Sequence, residues 1–364
     1  MIRLVLRGRV TRRSGVLAVL GAVVVTYLLT AGPIRAAGAN PVAAYQRYVL
    51  TPLTTPHGIA EVLLAATPLL FTGLAVMIAF RAGYFNIGAE GQFLAGTVGA
   101  AAVGLGLPGL PAAVALPLAG LAGAAAGVAW AALPAWLRIR MRIDEVVTTL
   151  LLNPVALLLV QGLLNGPWRN PETGFPESAR LGAGYVLPSL GGTRVHWGLV
   201  VAVLAIVVTG VVMTATPTGL RVRAAGQAPE AARFSGIAVD RVQGRSALVS
   251  GGIAGLGGAV QVCGVQHQLT GGISDGYGYT GVVVATLGAL TAVGVLLVGV
   301  LLGTITVGAQ NASIVLHLPP QMGDIVTALL LLTVVCALVL RRYRVVLRRR
   351  PTRPVPAADR EVRA

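Results

Sequence analysis

Four polar groups set among apolar residues carry whatever chemistry this chain performs. The first is Arg81–Gln92, RAGYFNIGAEGQ, where Gly83, Gly88 and Gly91 break a helix while Asn86, Glu90 and Gln92 supply hydrogen-bonding side chains. Polar and ionisable groups at membrane depth are costly and tend to mark a solute path. The glycine spacing also permits close helix packing, and a loop in which Glu90 simply pairs with Arg81 is the plainer alternative. The second group is Asp144-Glu145 leading into Val146–Pro154. Acids at a helix N-terminus suit the helix dipole, so Asp144 reads as a cap. Asn153 lies about two turns deeper beside Pro154, whose ring frees a backbone carbonyl, and could face a ligand.

The third group is Gln261, Gln266, His267, Gln268, Asp275, Tyr277 and Tyr279. Its amides and phenols suit hydroxyls or heterocycle edges, although tyrosine is also common at membrane boundaries. Gln310 and Asn311 form a further pair, readable as a buried solute contact or as interhelical hydrogen bonding. The candidate path is therefore Asn86, Glu90, Gln92, Asn153, Gln261, Tyr277 and Asn311.

The fourth group is a basic island between two long apolar runs, Thr216–Arg245, TPTGLRVRAAGQAPEAARFSGIAVDRVQGR. Pro217 and Gly219 break the preceding run. APEAARFSGI (Ala228–Ile237) predicts a short helix with Pro229 in its first turn, Glu230 at the positive dipole end and Gly236 near its stop. Ala231, Ala232, Phe234 and Ile237 offer small and apolar contact points. Such a loop could lie on anionic lipid; its shortness and small-residue face favour a protein groove, gripped by a separate soluble motor.

Missing groups narrow the chemistry further. A nucleotide-binding P-loop needs a lysine on the phosphates, and the sequence has no lysine. Its 4 histidines are scattered and its 2 cysteines, Cys263 and Cys336, fall inside apolar runs, so no metal-ligand pattern forms. No nucleophile–base arrangement appears. The expectation is a non-enzyme with no catalytic residue, metal or cofactor of its own.

Apolar helices must position these groups. Of 364 residues, 55% are hydrophobic and 11% charged, with mean hydropathy +0.80. Soluble domains carry about 25% charged residues, so this chain cannot coat a normal water-facing surface. Runs near the ~20 residues that cross a ~30 Å hydrocarbon core recur throughout. They read as Val16–Pro33, Ile59–Phe80, Gly88–Leu107, Pro111–Trp136, Glu145–Leu164, Trp197–Ala215, Ser246–Val265, Tyr279–Leu290, Val293–Leu316 and Ile325–Leu340. The fold class is thus all-α and polytopic, with about ten spans, the eighth too short to cross alone. The first run exceeds the ~7–15 apolar residues of a cleavable signal, which favours an uncleaved span.

The net charge of +16 is all arginine on the basic side. Positive-inside bias places the N-terminal cluster, Arg138/Arg140/Arg142, the island and the run after Arg341 in the cytoplasm. A transmembrane domain is expected over 1–345, with its coupling segment at 217–245 and a disordered basic tail at 346–364. Two echoes suggest an inverted 5+5 repeat: Gly83–Ala100 resembles Gly276–Ala289, and Asp144–Leu152 resembles Gly323–Leu331 with the opposite direction. Chance likeness between Gly/Ala/Leu-rich helices is the alternative.

AGYFNIGAEGQFLAG, DEVVTTLLLN and GLRVRAAGQAPEAARFSGI, in that order, resemble the integral-membrane permease subunits of ABC importers of the ribose/branched-chain-amino-acid type. The nearest branch is that of nucleoside and simple-sugar permeases served by basic-membrane-protein-type lipoproteins, and the likeness runs from Ile59 to Leu340. In that family G-x-x-P-x-A-A-x-x-x-G-I is the coupling helix that docks on the ATPase. The resemblance puts Gly226, Pro229, Ala231, Ala232, Gly236 and Ile237 in those places, with Glu230 and Arg233 among them. The family's N-I-G-x-E-G-Q maps onto Asn86, Ile87, Gly88, Glu90, Gly91 and Gln92, whereas Asn153-Pro154 departs from the more usual N-Y or N-x.

The resemblance implies a multi-pass protein of the bacterial plasma membrane, and the arginine distribution places both termini in the cytoplasm. Its implied partners are two ATPase subunits that use ATP and Mg, a second similar or identical permease, an extracytoplasmic binding lipoprotein and membrane lipid, with no nucleic acid. The implied solute is a nucleoside, with simple sugars or branched-chain amino acids as alternatives. The rival from another class is an ion-driven secondary transporter, which would want a buried acid such as Glu90 or Glu61.

Overall fold

The computed structural model describes residues 2–6, 12–319 and 321–347. Helices dominate: α1 (Arg12–Ala36), α2 (Pro41–Tyr45), α3 (Pro56–Arg81), α4 (Ala89–Gly106), α5 (Ala112–Met141), α6 (Glu145–Asn165) and α7 (Gly198–Ala215). There follow α8 (Pro217–Gln227), α9 (Pro229–Phe234), α10 (Val239–Gln261, continued by a π turn to Gln266), α11 (Tyr277–Leu287), α12 (Ala292–Leu316) and α13 (Gln321–Arg342). Local chemistry sets the starts. Thr55, Asp144, Thr216 and Thr291 each accept an N–H from the first turn of α3, α6, α8 and α12, and proline occupies the first position of α3 and α8.

Each of the ten apolar runs coincides with a helix, but they are not equivalent. Among the described residues six helices are long and apolar enough to cross a bilayer: α3, α5, α6, α7, α10 with its π turn, and α12. Among the described residues a seventh crossing is available if Gly21–Ala36 and Pro41–Leu53 make one span. At 11 residues, α11 is too short to cross alone, as expected. The chain is a multi-pass helical membrane protein, and the strands among the described residues form one small ribbon.

That ribbon belongs to a unit formed by the described residues of 2–33 with those of 324–347. There β1 (Ile2–Leu6) pairs antiparallel with β2 (Tyr343–Leu347), Ile2 opposite Leu347, and the Thr26 and Thr333 hydroxyls lie 2.6 Å apart. Within the expected tail, Val346 and Leu347 lie in β2, and 348–364 fall outside the described residues.

The second unit, Ile34–Gly323, holds every candidate residue. Its axis is α10, and small residues let neighbouring backbones touch it. Gly251 and Gly255 lie against Gly127 and Gly123 of α5, Gly258 against the Phe93 carbonyl of α4, and Gly257 against the Phe71 side chain of α3. On the other flank, Gly73 of α3 faces Val284 of α11 and Val295 of α12, while Gly299 and Gly303 of α12 receive Leu70 and Ala66 of α3. In lipid, association rests on such close packing because the hydrocarbon gives no hydrophobic drive between helices. The connection between α6 and α7 covers the end of α10: Leu187 and Leu181 donate to the Cys263 and His267 carbonyls at 2.9 Å.

Candidate functional site

The loop between α3 and α4 is tied into the bundle by a closed amide knot. Asn86 is fully buried and donates from Nδ2 to Gln92 Oε1 and Ser250 Oγ, both at 2.9 Å. Its Oδ1 accepts from Gln92 Nε2 at 3.1 Å and from the Gly88 N–H at 2.9 Å, and Ser250 donates onward to the Ala75 carbonyl at 2.6 Å. Asn153 repeats the arrangement from α6, accepting from the Gly91 N–H and donating to the Ile87 carbonyl, each at 2.9 Å. Pro154 does not interrupt α6. Asn86, Gln92 and Asn153 are therefore brought together, with their amides engaged by protein; buried polar groups are held this way because an unmade bond there is costly.

The same loop leans on Glu145, one of the two acids that open α6, and on the Thr149 hydroxyl, which sequence reading did not single out. Thr149 Oγ1 accepts from the Ile87 N–H at 3.2 Å. Glu145, 5% exposed, accepts from the Phe85 N–H at 3.3 Å and pairs with Arg138 at 2.9 Å. Tyr84 in this loop is buried, and burial with the neighbouring Glu145 charge pushes its phenol upward. The available signal was spacing: Glu145 and Thr149 are one helical turn apart, on the face of α6 that also carries Asn153.

Glu90 does not pair with Arg81. Arg81 Nε donates to the Leu290 carbonyl at 2.7 Å, whereas Glu90 Oε2 accepts from the Gly278 N–H at 2.7 Å. Gly278 and Glu90 occupy the first turns of α11 and α4, so one carboxyl group lies at two helix N-termini, where the dipoles favour negative charge. Phe93 and Tyr277 extend this contact edge to face, with centroids 5.6 Å apart, and the Tyr277 phenol meets the buried Gln261 amide. Gln268 turns away to Glu177 at 3.0 Å, and Tyr279 is 43% exposed. Gln310 and Asn311 are not a buried pair: Gln310 is exposed and Asn311 half-buried, because α12 directs its close-packed glycine face elsewhere. Glu61 is held by Arg194 at 3.0 Å.

The island folds as two helices. The expected short helix is α9, and Gly236, with φ +80°, terminates it in the left-handed region that glycine enters without strain. Its preceding helix, α8, was not expected. Ala232 is 3% exposed and packs with Ala225 and Val239, so it faces inward, while Pro229, Glu230, Ala231, Arg233 and Gly236 are exposed and Phe234 is 93% exposed. Ile237 is half-buried beside the same cluster. Gly226 abuts the Arg81 carbonyl, where any Cβ would collide, and Gln243 Nε2 donates to the Ala82 and Gly83 carbonyls at 3.3 and 3.2 Å. Asp240, which sequence reading missed, accepts two bonds from Arg142 at 3.2 and 3.1 Å and pairs with Arg233 at 3.3 Å, while Arg233 also holds Glu230 at 2.7 Å. Its signal was an acid immediately before Arg241 in a basic segment.

A multi-pass helical bundle with a structured basic segment between two spans is the architecture of a membrane transport subunit. Residues 58–335 match the family described as the branched-chain amino acid transport system permease component. The chain belongs to that permease family. It is 39% identical to the glucose ABC transporter permease protein TsgB13 of Haloferax volcanii, across 84% of this chain and 83% of the relative. It is 36% identical to the guanosine ABC transporter permease protein NupP of Bacillus subtilis, across 78% and 82%, and 29% identical to the nucleoside ABC transporter permease protein NupB of Lactococcus lactis, across 86% and 88%. The chain is thus a permease of the ABC transporter type, and membership implies ATPase and substrate-binding partners.

Proposed function

We propose that this chain is the permease of an ATP-driven importer that moves nucleosides by alternating access. Partner ATPases, which use the ATP and Mg, would push on α9. The observation that supports this coupling is the packing behind α9. Exposed Phe234 shares α9 with Ala232, which packs with Ala225 and Val239; Gly226 and Gln243 beside that cluster rest on Arg81–Gly83, three residues before Asn86. Displacement of α9 would therefore reach the loop that feeds α4.

Ten crossings are part of the proposal, with both termini cytoplasmic, the side to which positive-inside bias assigns the arginine clusters. So is an inverted repeat. The packing supports it, since α3 lies on α11 and α12 as α10 lies on α4 and α5. The two halves meet where like crosses like, Phe71 of α3 on Gly257 of α10 and Glu90 of α4 against Gly278 of α11. Asn86, Glu90, Gln92, Asn153, Gln261, Tyr277 and Asn311 are retained as path residues or as groups that move with the path. A second permease, similar or identical, would cover exposed Val147, Leu151 and Leu158 of α6, and an extracytoplasmic lipoprotein would deliver the solute.

Nucleosides are favoured by the guanosine and nucleoside relatives, and a sugar reading by the glucose relative at 39%. Cells making the full transporter should take up labelled guanosine, with excess adenosine competing and glucose, ribose and leucine not competing. Competition by glucose alone would transfer the assignment to sugars. Guanosine accumulation by vesicles holding this chain alone, driven by an ion gradient, would remove the ATP-driven reading.

A further inference from the structure

A groove of about 760 Å³ runs between α7 and α10, outside the amide knot. Its walls are apolar for most of their length: Val208 and Val212 of α7 face Val249 and Ile253 of α10. Its end is basic, lined by Arg221 of α8 and by Arg241 and Arg245 of α10, and is closed by Ser235–Ala238, the turn that links α9 to α10. Arg241, Arg245, Val249 and Ile253 are spaced by four, so a single stripe of α10 passes from cations to hydrocarbon. All three arginines are exposed and, among the described residues, none holds an acid, whereas Arg138, Arg142, Arg194 and Arg233 each do.

We propose that this groove holds one anionic phospholipid of the phosphatidylglycerol class, with its phosphate on the three arginines and an acyl chain along the valine gutter. Two features select this occupant. Uncompensated positive charge favours an anionic over a zwitterionic headgroup, each arginine near such a surface giving about a fivefold gain and three together about a hundredfold. The apolar gutter continues along two bilayer-crossing helices, where a soluble subunit would have nothing to fill it. The inference requires the bilayer but not the nucleoside assignment.

The test uses the complete transporter in nanodiscs of mixed phosphatidylglycerol and phosphatidylcholine, with native mass spectrometry reading the lipid retained per permease. The native protein should retain phosphatidylglycerol in strong preference, approaching the ~100-fold limit set by three arginines. R221Q/R241Q/R245Q should bring the two lipids near parity. Val249→Trp and Val208→Trp, at positions each 52% exposed, should lower retention with the arginines intact by plugging the gutter. Unchanged retention in the triple variant would overturn the proposal, as would unchanged retention in both tryptophan variants. Displacement by millimolar inorganic phosphate would reassign the arginines to a free anion. Loss of the ATPase subunits from the triple variant with lipid retention intact would assign the groove to them.

Discussion

Glu90 accepts the backbone N–H of Gly278 at 2.7 Å, although 188 residues separate them in sequence. The contact locks the first turn of α4 to the first turn of α11, with Gly278 so close to Ala89 and Glu90 that no side chain fits. Gly278→Ala should therefore overpack the crossing, costing roughly 1–3 kcal/mol, read as a lower thermal midpoint in detergent together with lost uptake. Glu90→Gln, which keeps an acceptor, should retain more of both than Glu90→Leu. Equal behaviour of the two Glu90 variants would detach the hydrogen bond from function.

Ser250 is the keystone of the amide knot, accepting from Asn86 and donating to Ala75. Ser250→Ala leaves two buried groups short of a partner and should destabilise by about 1–3 kcal/mol. The check is the thermal midpoint of the purified permease. An unchanged value would mean that the knot rearranges without it.

Phe234 and Ala232 should separate docking from folding. Phe234→Asp changes a fully solvated side chain, so it should abolish ATPase co-purification and uptake while leaving the thermal midpoint in place. Ala232→Glu buries a charge and should lower that midpoint as well. ATPase recovery that is normal in Phe234→Asp would remove α9 from the docking surface.

Asp240 pins α10 to both α5 and α9 through Arg142 and Arg233. These pairs are partly exposed, so Asp240→Asn should cost at most about 1 kcal/mol of stability. Uptake per ATP hydrolysed should fall severalfold because α9 loses its anchor. The reversed pair Asp240→Arg with Arg142→Asp should recover part of the ratio.

His196 precedes α7 and is 2% exposed, accepting from the Gly198 N–H at 3.1 Å. Burial, with His267 nearby, holds its imidazole down at about 4 from an ordinary 6.5. The neutral form belongs to the folded state, so its stabilisation is complete above pH 6.5 and is lost as pH falls toward 4. Between pH 7 and 5 that loss is about 2 kcal/mol. His196→Gln should flatten the acid limb of thermal stability in detergent, and an unchanged limb would exclude His196 as its source.

Much of this protein was legible without coordinates because the bilayer imposes simple rules on sequence. Backbone groups in hydrocarbon must bond within their own helix, so every long apolar run became a helix. Local chemistry likewise determined Asp144 as a cap, Gly236 as the stop of α9, and α11 as too short to cross. Periodicity could not tell which polar side chains face one another. Asn86, Gln92 and Asn153 were recognisable as buried polar groups, but only packing made Asn86 the partner of Ser250 and Asn153 the partner of the Ile87 and Gly91 backbones. Direction along a helix face decided that Ala232 turns inward while Phe234 reaches water, and long-range approach decided that Glu90 meets Gly278 instead of the nearer Arg81. The sequence by itself determined a helical membrane protein with one basic handle, because hydropathy and capping are local, and its motifs supplied the likeness to permeases. Tertiary structure alone decided what the handle holds, because glycine faces bring distant backbones into contact and no local signal encodes the partner.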